Sequence, residues 1–291
     1  MWGCVRRFSA LLSALVLIWA GATVNADAAP KVVSAKADAR PKIVSMNLCT
    51  DQLAMLLAEP GQILSVSRVS ADPLSSPMVE AARAFPLNNG NAEEIFLMAP
   101  DVVLASTYSS PTAIGMLRRL GVEVVQVPAV SALSDIPESL RAVGAAIGQT
   151  ARAEAMAQSV IARLAALPDV PDDPPVAAFF YANGYSLGAG TLSHDIITHA
   201  GFANLAERRG VAGGARLSLE TLVVAGPDVL ISGQPYPGHS RAEDVARHPV
   251  LDPYVAAGRV ILSGPSWVCG TPFTLDAVEA LARTRAALEE D

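Results

Sequence analysis

Hydrophobic and polar positions follow one another along this chain in short β-prone runs separated by helical repeats. Between the β-prone runs of the first half, apolar residues recur every three or four positions. Such alternation favours a parallel sheet covered by helices. The pattern predicts strands at 42–47, 63–67, 101–106 and 122–128, and helices at 50–59, 92–99 and 111–120.

The alternation stops at 132–167, a segment rich in Ala, Leu, Arg and Glu without a β-prone run. We interpret this segment as one long helix in which Gly148 marks a bend and not an end. The proline-rich segment 168–175 cannot continue a helix and predicts a linker. The alternation then resumes, with strands predicted at 176–182, 228–233 and 259–263 and helices at 192–200, 218–225, 241–247 and 273–289.

The predicted fold class is therefore α/β, with two three-layer lobes of mainly parallel sheet. The N-terminal lobe is expected at 42–131 and the C-terminal lobe at 176–291. A single long α-helix at 132–167 is expected to join them.

The first residues predict a secretory signal peptide at 1–28, followed by a flexible segment at 29–41. Arg6 and Arg7 precede an apolar run at 11–22 and then small residues at cleavage spacing, as in signal peptides. The apolar run is short for a membrane span. An uncleaved N-terminal anchor is the alternative. The prediction is an exported, periplasmic protein.

Composition and charge narrow the choice of partners. An apolar fraction of 51% with 17% charged residues predicts a well-filled core. Removal of 1–28 takes away two arginines and one aspartate, so the formal net charge of −7 becomes −8. An acidic exported chain is a poor partner for nucleic acid, whose backbone selects basic surfaces.

Two segments repeat the same plan in the two halves. "NAEEIFLMAPDVVLAS" (91–106) and "LSLETLVVAGPDVLISG" (217–233) each place a glutamate seven residues before a Pro-Asp pair that precedes a strand. The Pro-Asp pair has a structural explanation, because it ends a helix and begins a strand. The glutamates, Glu93 and Glu220, lie near predicted helix N-termini, where negative charge is mildly favoured.

These features together resemble the substrate-binding proteins of ABC importers. More narrowly, they resemble the periplasmic group that binds cobalamin, iron–siderophore complexes or haem. The paired segments are the most specific match, and "GAGTLSHDIITHAGFANLA" (188–206) fits the opening helix of the family's second lobe.

The resemblance implies a monomeric receptor that delivers a chelated metal or a corrinoid to an inner-membrane permease. It implies a ligand cleft between lobes that move little, and permease docking through Glu93 and Glu220. Helix-cap carboxylates without a partner are the alternative for these two residues. The ligand would itself be the metal complex, so no resident cofactor is expected.

In this architecture the residues that follow the strands line the cleft. Tyrosine and tryptophan suit a bulky, partly polar ligand, and four of the eight in the chain fall at predicted strand ends. Arg68 could pair with a ligand carboxylate or phosphate. The candidate substrate-binding residues are Cys49, Arg68, Tyr108, Tyr185, Tyr236, Trp267 and Cys269.

Cys49 and Cys269, the two cysteines outside 1–28, are expected on opposite walls of this cleft. Three interpretations remain open for them. They could form a disulfide, as exported cysteines often do. A thiolate could contact a soft or borderline metal centre of the ligand, or both residues could fill space beneath the loops.

Catalytic and direct metal-binding patterns are weak. The four histidines are not grouped with carboxylates as a bare zinc site requires. Ser193 and His194 adjoin in "TLSHD", but sequence neighbours do not make a catalytic triad, and the strand–Gly-x-Ser-x-Gly–helix elbow of α/β hydrolases is missing. The prediction is a protein that is not an enzyme. An exported α/β hydrolase and a haem-binding receptor of the same fold are the alternatives.

Overall fold

The computed structural model describes residues 40–238 and 240–290. The predicted signal peptide at 1–28 and all but the end of the predicted flexible segment at 29–41 lie outside the described residues.

The N-terminal lobe is built on a five-stranded parallel sheet with the strand order β3-β2-β1-β4-β5. Ile43, Val103 and Leu104 are completely buried in its central strands. The strands are β1 (Ile43–Ser45), β2 (Ile63–Ser67), β3 (Leu87–Asn88), β4 (Val102–Ser106) and β5 (Glu123–Val127). The helices of this lobe are α1 (Leu48–Leu57), α2 (Val79–Ala82), α3 (Ala92–Leu97) and α4 (Pro111–Arg119).

The C-terminal lobe has a four-stranded parallel sheet in the order β11-β10-β6-β8 and a separate antiparallel pair, β7 with β9. Its strands are β6 (Val176–Phe179), β7 (Tyr185–Leu187), β8 (Ala203–Asn204), β9 (Gly214–Arg216), β10 (Val229–Gly233) and β11 (Val260–Ser263). Its helices are α7 (Leu192–His199), α8 (Leu205–Arg208), α9 (Leu219–Ala225), α10 (Asp252–Ala256) and α11 (Pro272–Glu290). The predicted α/β class with two lobes of parallel sheet is confirmed.

The prediction of a single long helix at 132–167 is wrong. The segment forms two helices, α5 (Ile136–Ala146) and α6 (Thr150–Ala165), that fold back on each other. Arg141 Nε donates to Glu154 Oε2 at 2.7 Å, whereas 13 residues of straight helix would span about 20 Å. Gly148 has a φ of +71°, a left-handed conformation that ends α5 at little cost because glycine has no Cβ.

The bridge between the lobes is therefore α6 alone. At its start, the Gln149 side chain donates to Gln62 Oε1 of the N-terminal lobe at 2.8 Å. Near its end, Arg163 binds Asp276 and Glu279 of α11 at 2.6 and 2.9 Å. The start of this 16-residue helix is thus fixed to the N-terminal lobe and its end to the C-terminal lobe.

One hydrophobic core extends through both lobes. The cluster that contains Ile43 and Leu104 of the first sheet continues through Val143 and Val160 of the helix pair to Leu275 and other residues of the C-terminal lobe. Since hinged domains normally keep separate cores, this shared core opposes large movements of one lobe against the other.

Candidate ligand-binding cleft and docking helices

A cavity of about 680 Å³ lies between the two lobes. On the N-terminal side it is lined by the residues that follow β1, β4 and β5, including Asn47, Tyr108 and Ser131. On the C-terminal side it is lined by Thr191 and Ser193 at the start of α7 and by Trp267 after β11. Its volume lies within the usual range for small-molecule and cofactor sites.

Trp267 lines this cavity and also a second one of about 270 Å³, as do Ser193 and Val268. It lies at the end of a 3₁₀ turn, Pro265–Trp267, directly after β11. Its indole packs edge-to-face against Phe179 at the end of β6, with ring centroids 6.3 Å apart and an interplanar angle of 85°. This contact fixes the ring, and Trp267 is 9% exposed, so it presents a small, rigid apolar surface to the cavities.

Two of the predicted tyrosines also line the cavities. Tyr108 is exposed at the wall of the 680 Å³ cavity. Tyr236 is exposed at the wall of the smaller one. Both phenol groups are therefore accessible to a ligand, and their binding role remains a prediction.

Tyr181 lines the smaller cavity as well and was missed by the sequence pattern. Its hydroxyl donates to Ser263 Oγ at 3.2 Å, and burial raises the pKa of the phenol above its usual value. The predicted strand at 176–182 concealed this residue, since β6 ends at Phe179 and Tyr181 already belongs to the strand-end loop.

The structure does not bring Tyr185 and Arg68 to either cavity. Tyr185 lies in β7, paired with Arg216, and its ring covers Gly214 of β9. Arg68 is exposed after β2, and its Nε donates to Asn89 Oδ1 at 3.0 Å. Both side chains are thus engaged within their own lobes.

Cys49 and Cys269 form a disulfide that crosses from one lobe to the other, with Cα atoms 5.2 Å apart. Cys49 lies in the first turn of α1 and lines the 680 Å³ cavity. Of the three interpretations of the cysteine pair, the structure shows the disulfide. Neither sulfur is then a free thiolate that could bind a metal.

Two hydrogen bonds accompany the disulfide between the lobes. Thr271 Oγ1 donates to Gln52 Oε1 at 3.3 Å. The backbone N–H of Leu133, at the start of the helix pair, donates to Asp195 Oδ2 of α7 at 2.6 Å. Together with the disulfide, these bonds hold the two walls of the cleft in fixed positions.

The residues that line these two cavities carry no formal charge, whereas Glu243 and Arg247 line a third cavity of about 410 Å³ that shares Tyr236 with the smaller one. Among the described residues that line the two cavities there is no Asp, Glu, Lys, Arg or His side chain. The polar groups present are neutral hydroxyls and amides, such as Ser106, Ser131, Thr191 and Gln234. Burying a charge without a partner costs several kcal/mol, so these walls favour a ligand whose enclosed part is uncharged.

Asp51 is a fully buried carboxyl in α1, next in sequence to the cavity-lining residues Cys49 and Thr50. Its Oδ2 accepts from the backbone N–H of Ser67 at 3.1 Å and from the hydroxyls of Ser67 and Ser70. Burial raises the pKa of this carboxyl from 3.8 to about 6, although the serine hydrogen bonds oppose the shift. Asp51 thereby fastens the turn after β2 to α1.

The two repeated segments form the same structure in both lobes. Asp101 Oδ2 accepts the backbone N–H of Lys42, just before β1, and Asp228 Oδ2 accepts that of Val176, the first residue of β6, each at 2.7 Å. Glu93 and Glu220 are exposed in the first turns of α3 and α9. Hydrogen bonds from the Glu220 backbone N–H and the Ser218 hydroxyl lower the pKa of Glu220.

Ser193 and His194, the candidate hydrolase residues, do not form a catalytic pair. Ser193 lines the cleft, whereas the His194 Nδ1 atom lies 3.2 Å from Asn204 Nδ2 and its Nε2 lies 3.9 Å from Glu207. Within the described part of the chain, no three His, Cys, Asp or Glu side chains are grouped to hold a metal ion. No helix of that part is long and apolar enough to span a membrane.

Comparison with known proteins gives a family match along most of the chain. A family described as periplasmic binding protein matches residues 43–265. A cobalamin-binding protein of Halobacterium salinarum is 30% identical over 148 residues, which are 49% of this chain and 40% of that relative. The match thus covers less than half of the relative's length.

Solved structures share the fold. The periplasmic heme-binding protein RhuT of Roseiflexus sp. RS-1 superposes with a TM-score of 0.70 at 23% identity, covering 84% of this chain and 97% of the other. The vitamin B12-binding protein BtuF of Vibrio cholerae gives a TM-score of 0.65 at 18% identity, covering 87% of this chain and 99% of the other.

Proposed function

This chain belongs to the periplasmic binding protein family, and we propose that it is a periplasmic receptor for an uncharged metal chelate. The proposed chelate is cobalamin or a related corrinoid. It is exported by the predicted signal peptide at 1–28, acts as a monomer, and passes its ligand to an ABC permease in the inner membrane. It binds its ligand without transforming it.

The observation that carries this proposal is the lack of formal charge on the described residues that line the 680 and 270 Å³ cavities, together with the fixed ring of Trp267 in the wall of both. A large ring system can contact the exposed part of the indole while its periphery meets neutral hydroxyls and amides. The corrin ring of cobalamin carries amide side chains in place of carboxylates, so it can enter without leaving a charge unpaired. The match to a cobalamin-binding relative supports the same choice.

An iron complex of a neutral hydroxamate siderophore satisfies the same walls, because its charge is cancelled within the chelate. It offers less flat surface to Trp267, and we rank it second.

Haem is favoured by a different observation, the accessible phenols of Tyr108 and Tyr236, since tyrosine can serve as an axial ligand of haem iron. The two propionates of haem would find no basic side chain among the described residues that line the 680 and 270 Å³ cavities. The adjoining cavity of about 410 Å³, which Tyr236 also lines, contains Arg247 beside Glu243. Haem binding would therefore leave at least one propionate without a basic partner or pointing into water.

The ligand is tested by titration of the protein without residues 1–28, in which Trp267 is the only remaining tryptophan. Cyanocobalamin, a ferric hydroxamate and haemin are added in turn, and the indole fluorescence and the heat of binding are recorded. We expect cyanocobalamin to quench the fluorescence at stoichiometric ratio. Tight binding of haemin with a tyrosinate absorption band would instead support the haem alternative, and saturation by none of the three would contradict the proposal.

The position of the ligand is tested by substitution of single aromatic residues. We expect Trp267→Ala to weaken cyanocobalamin binding by about ten- to a hundredfold, as for a buried aromatic anchor. Tyr185→Ala is the matched comparison, because Tyr185 lines neither cavity. Unchanged affinity in Trp267→Ala would place the ligand elsewhere.

Delivery to the permease is proposed to use Glu93 and Glu220. We expect the double variant Glu93→Lys/Glu220→Lys to abolish ligand-stimulated transport while the affinity for ligand stays within about twofold, because reversed surface charges impair association with a basic partner. Transport at the wild-type rate by this variant would contradict the docking assignment.

A further inference from the structure

Each candidate docking glutamate is followed, three and four positions later, by two exposed apolar side chains. After Glu93, Phe96 is 43% exposed and Leu97 is 83% exposed. After Glu220, Val223 is 43% exposed and Val224 is 84% exposed. Residues three and four apart lie on the same face of a helix, so each glutamate shares its face with its apolar pair.

The cores of the two lobes do not require these four side chains. Each helix is anchored by a different residue, Ile95 in α3 and Leu222 in α9, and both anchors are fully buried. The exposed pairs occupy equivalent positions, since every residue of the second helix lies 127 positions after its counterpart in the first. Single exposed apolar residues are common on protein surfaces, but two pairs with matching exposure beside matching carboxylates are a repeated arrangement.

We propose that Glu93, Phe96 and Leu97 form one composite docking patch and that Glu220, Val223 and Val224 form a second. Their partner is the ABC permease, on which each patch meets a basic side chain next to an apolar recess. Because the two patches are equivalent, the permease should have two equivalent binding sites for them. A partner with two related subunits provides such a pair of sites. This inference rests on the proposed function and adds an apolar component to the docking by charge.

The charges favour this partner over a second copy of the chain. Contact between patches of two copies would bring carboxylates together, and like charges facing each other in an interface cost several kcal/mol. Glu94 adds another carboxylate to the first turn of α3. A basic partner gains from the same charges, and the exposed apolar pairs become buried in the contact.

The patches differ in size, which predicts an unequal contribution to binding. Phe96 and Leu97 present more apolar surface than Val223 and Val224, and apolar stabilisation scales with the area removed from water. The N-terminal patch is therefore the stronger of the two.

The experiment measures binding of the protein, loaded with cyanocobalamin, to the ABC permease of its own host reconstituted in nanodiscs. Leu97→Ser and Val224→Ser are tested singly and together. We expect about a tenfold loss of affinity for Leu97→Ser, a smaller loss for Val224→Ser, and a larger loss for the double variant, as for exposed anchors that become buried on binding. Val170→Ser is the matched control, because Val170 is 53% exposed in the linker between the lobes.

Two further readouts keep the outcomes distinct. Indole fluorescence must show unchanged cyanocobalamin affinity in every variant, and thermal unfolding must show an unchanged midpoint.

If Glu93→Lys/Glu220→Lys loses permease binding while the serine double variant binds like the wild type, the apolar component is refuted and the proposed function stands. If the wild type does not bind the permease at all, the proposed function itself fails. A wild-type dimer in sedimentation that the serine double variant dissolves would identify a second copy as the occupant and overturn the inference.

Discussion

Reduction of the Cys49–Cys269 disulfide tests how strongly the lobes depend on their covalent link. The bond joins residues 220 positions apart, so its loss frees a large part of the unfolded chain. The chain-entropy relation for a loop of this length gives about 18 cal/mol/K, or about 5 kcal/mol at 25 °C. Native disulfides usually deliver about 2–5 kcal/mol on removal, and we therefore expect a loss of about 3–5 kcal/mol in the free energy of unfolding.

Urea unfolding followed by circular dichroism measures this difference on oxidised protein, on reduced protein, and on Cys49→Ala/Cys269→Ala without reductant. The reduced protein and the alanine variant should agree, because both lack the bond and neither places a new polar group beside the buried Cys269. A difference below about 1 kcal/mol between oxidised and reduced protein would refute the entropic reasoning. Two free thiols per chain in denatured, non-reduced protein would refute the bond itself.

The remaining predictions concern one buried carboxyl and one repeated backbone position. Asp51 has a folded pKa of about 6 against a usual 3.8, so the folded chain holds this proton more tightly. Its contribution to the free energy of unfolding therefore falls as the pH rises through 6, by about 2 kcal/mol between pH 4.5 and 7. Urea unfolding at pH 4.5 and 7 should show a smaller decline in Asp51→Asn, and an equal decline would exclude Asp51 as its source. Ala99, with a φ of +49°, ends α3 where Gly226, with a φ of +54°, ends α9. Ala99→Gly should stabilise by about 0.5–1 kcal/mol and Gly226→Ala should destabilise by about 1 kcal/mol, and thermal midpoints that move the other way would contradict this account.

The sequence predicted the regular elements best where a single physical signal governs them. The predicted strand at 63–67 coincides with β2 (Ile63–Ser67), and the Pro-Asp pairs correctly marked the starts of β4 and β10. Two-residue strands such as β3 have too few positions to show alternation. The antiparallel pair of β7 and β9 joins segments almost 30 residues apart through glycine-rich backbone, which leaves no local pattern.

The prediction of one long helix at 132–167 was wrong because the local sequence signal is the same for a bend and for a reversal. Alanine-rich composition predicts helix equally well on both sides of Gly148, and helical propensity alone does not distinguish a bend from a reversal. The reversal is decided by tertiary packing, since Arg141 and Glu154 pair across it and Ile147 is fully buried.

The site was predicted in outline, because the carboxyl ends of parallel strands always meet at one edge of a sheet. This rule alone was enough to predict that Trp267 and Tyr108 line the cleft. The rule failed for Tyr185, because the position of this residue depends on the pairing of β7 with β9, which the sequence does not reveal. The choice among the three interpretations of Cys49 and Cys269 depended on the distance between two lobes, which no local sequence signal encodes.

The core that continues from one lobe into the other has a consequence for transport kinetics. A receptor whose lobes share a core and a covalent link presents α3 and α9, the helices proposed to dock, at the same separation whether the cleft is empty or filled. A permease that recognises only those helices would then bind empty and loaded receptors alike. Empty receptor in excess would act as a competitive inhibitor, and uptake would depend on the fraction of receptor that is occupied and not on its total amount.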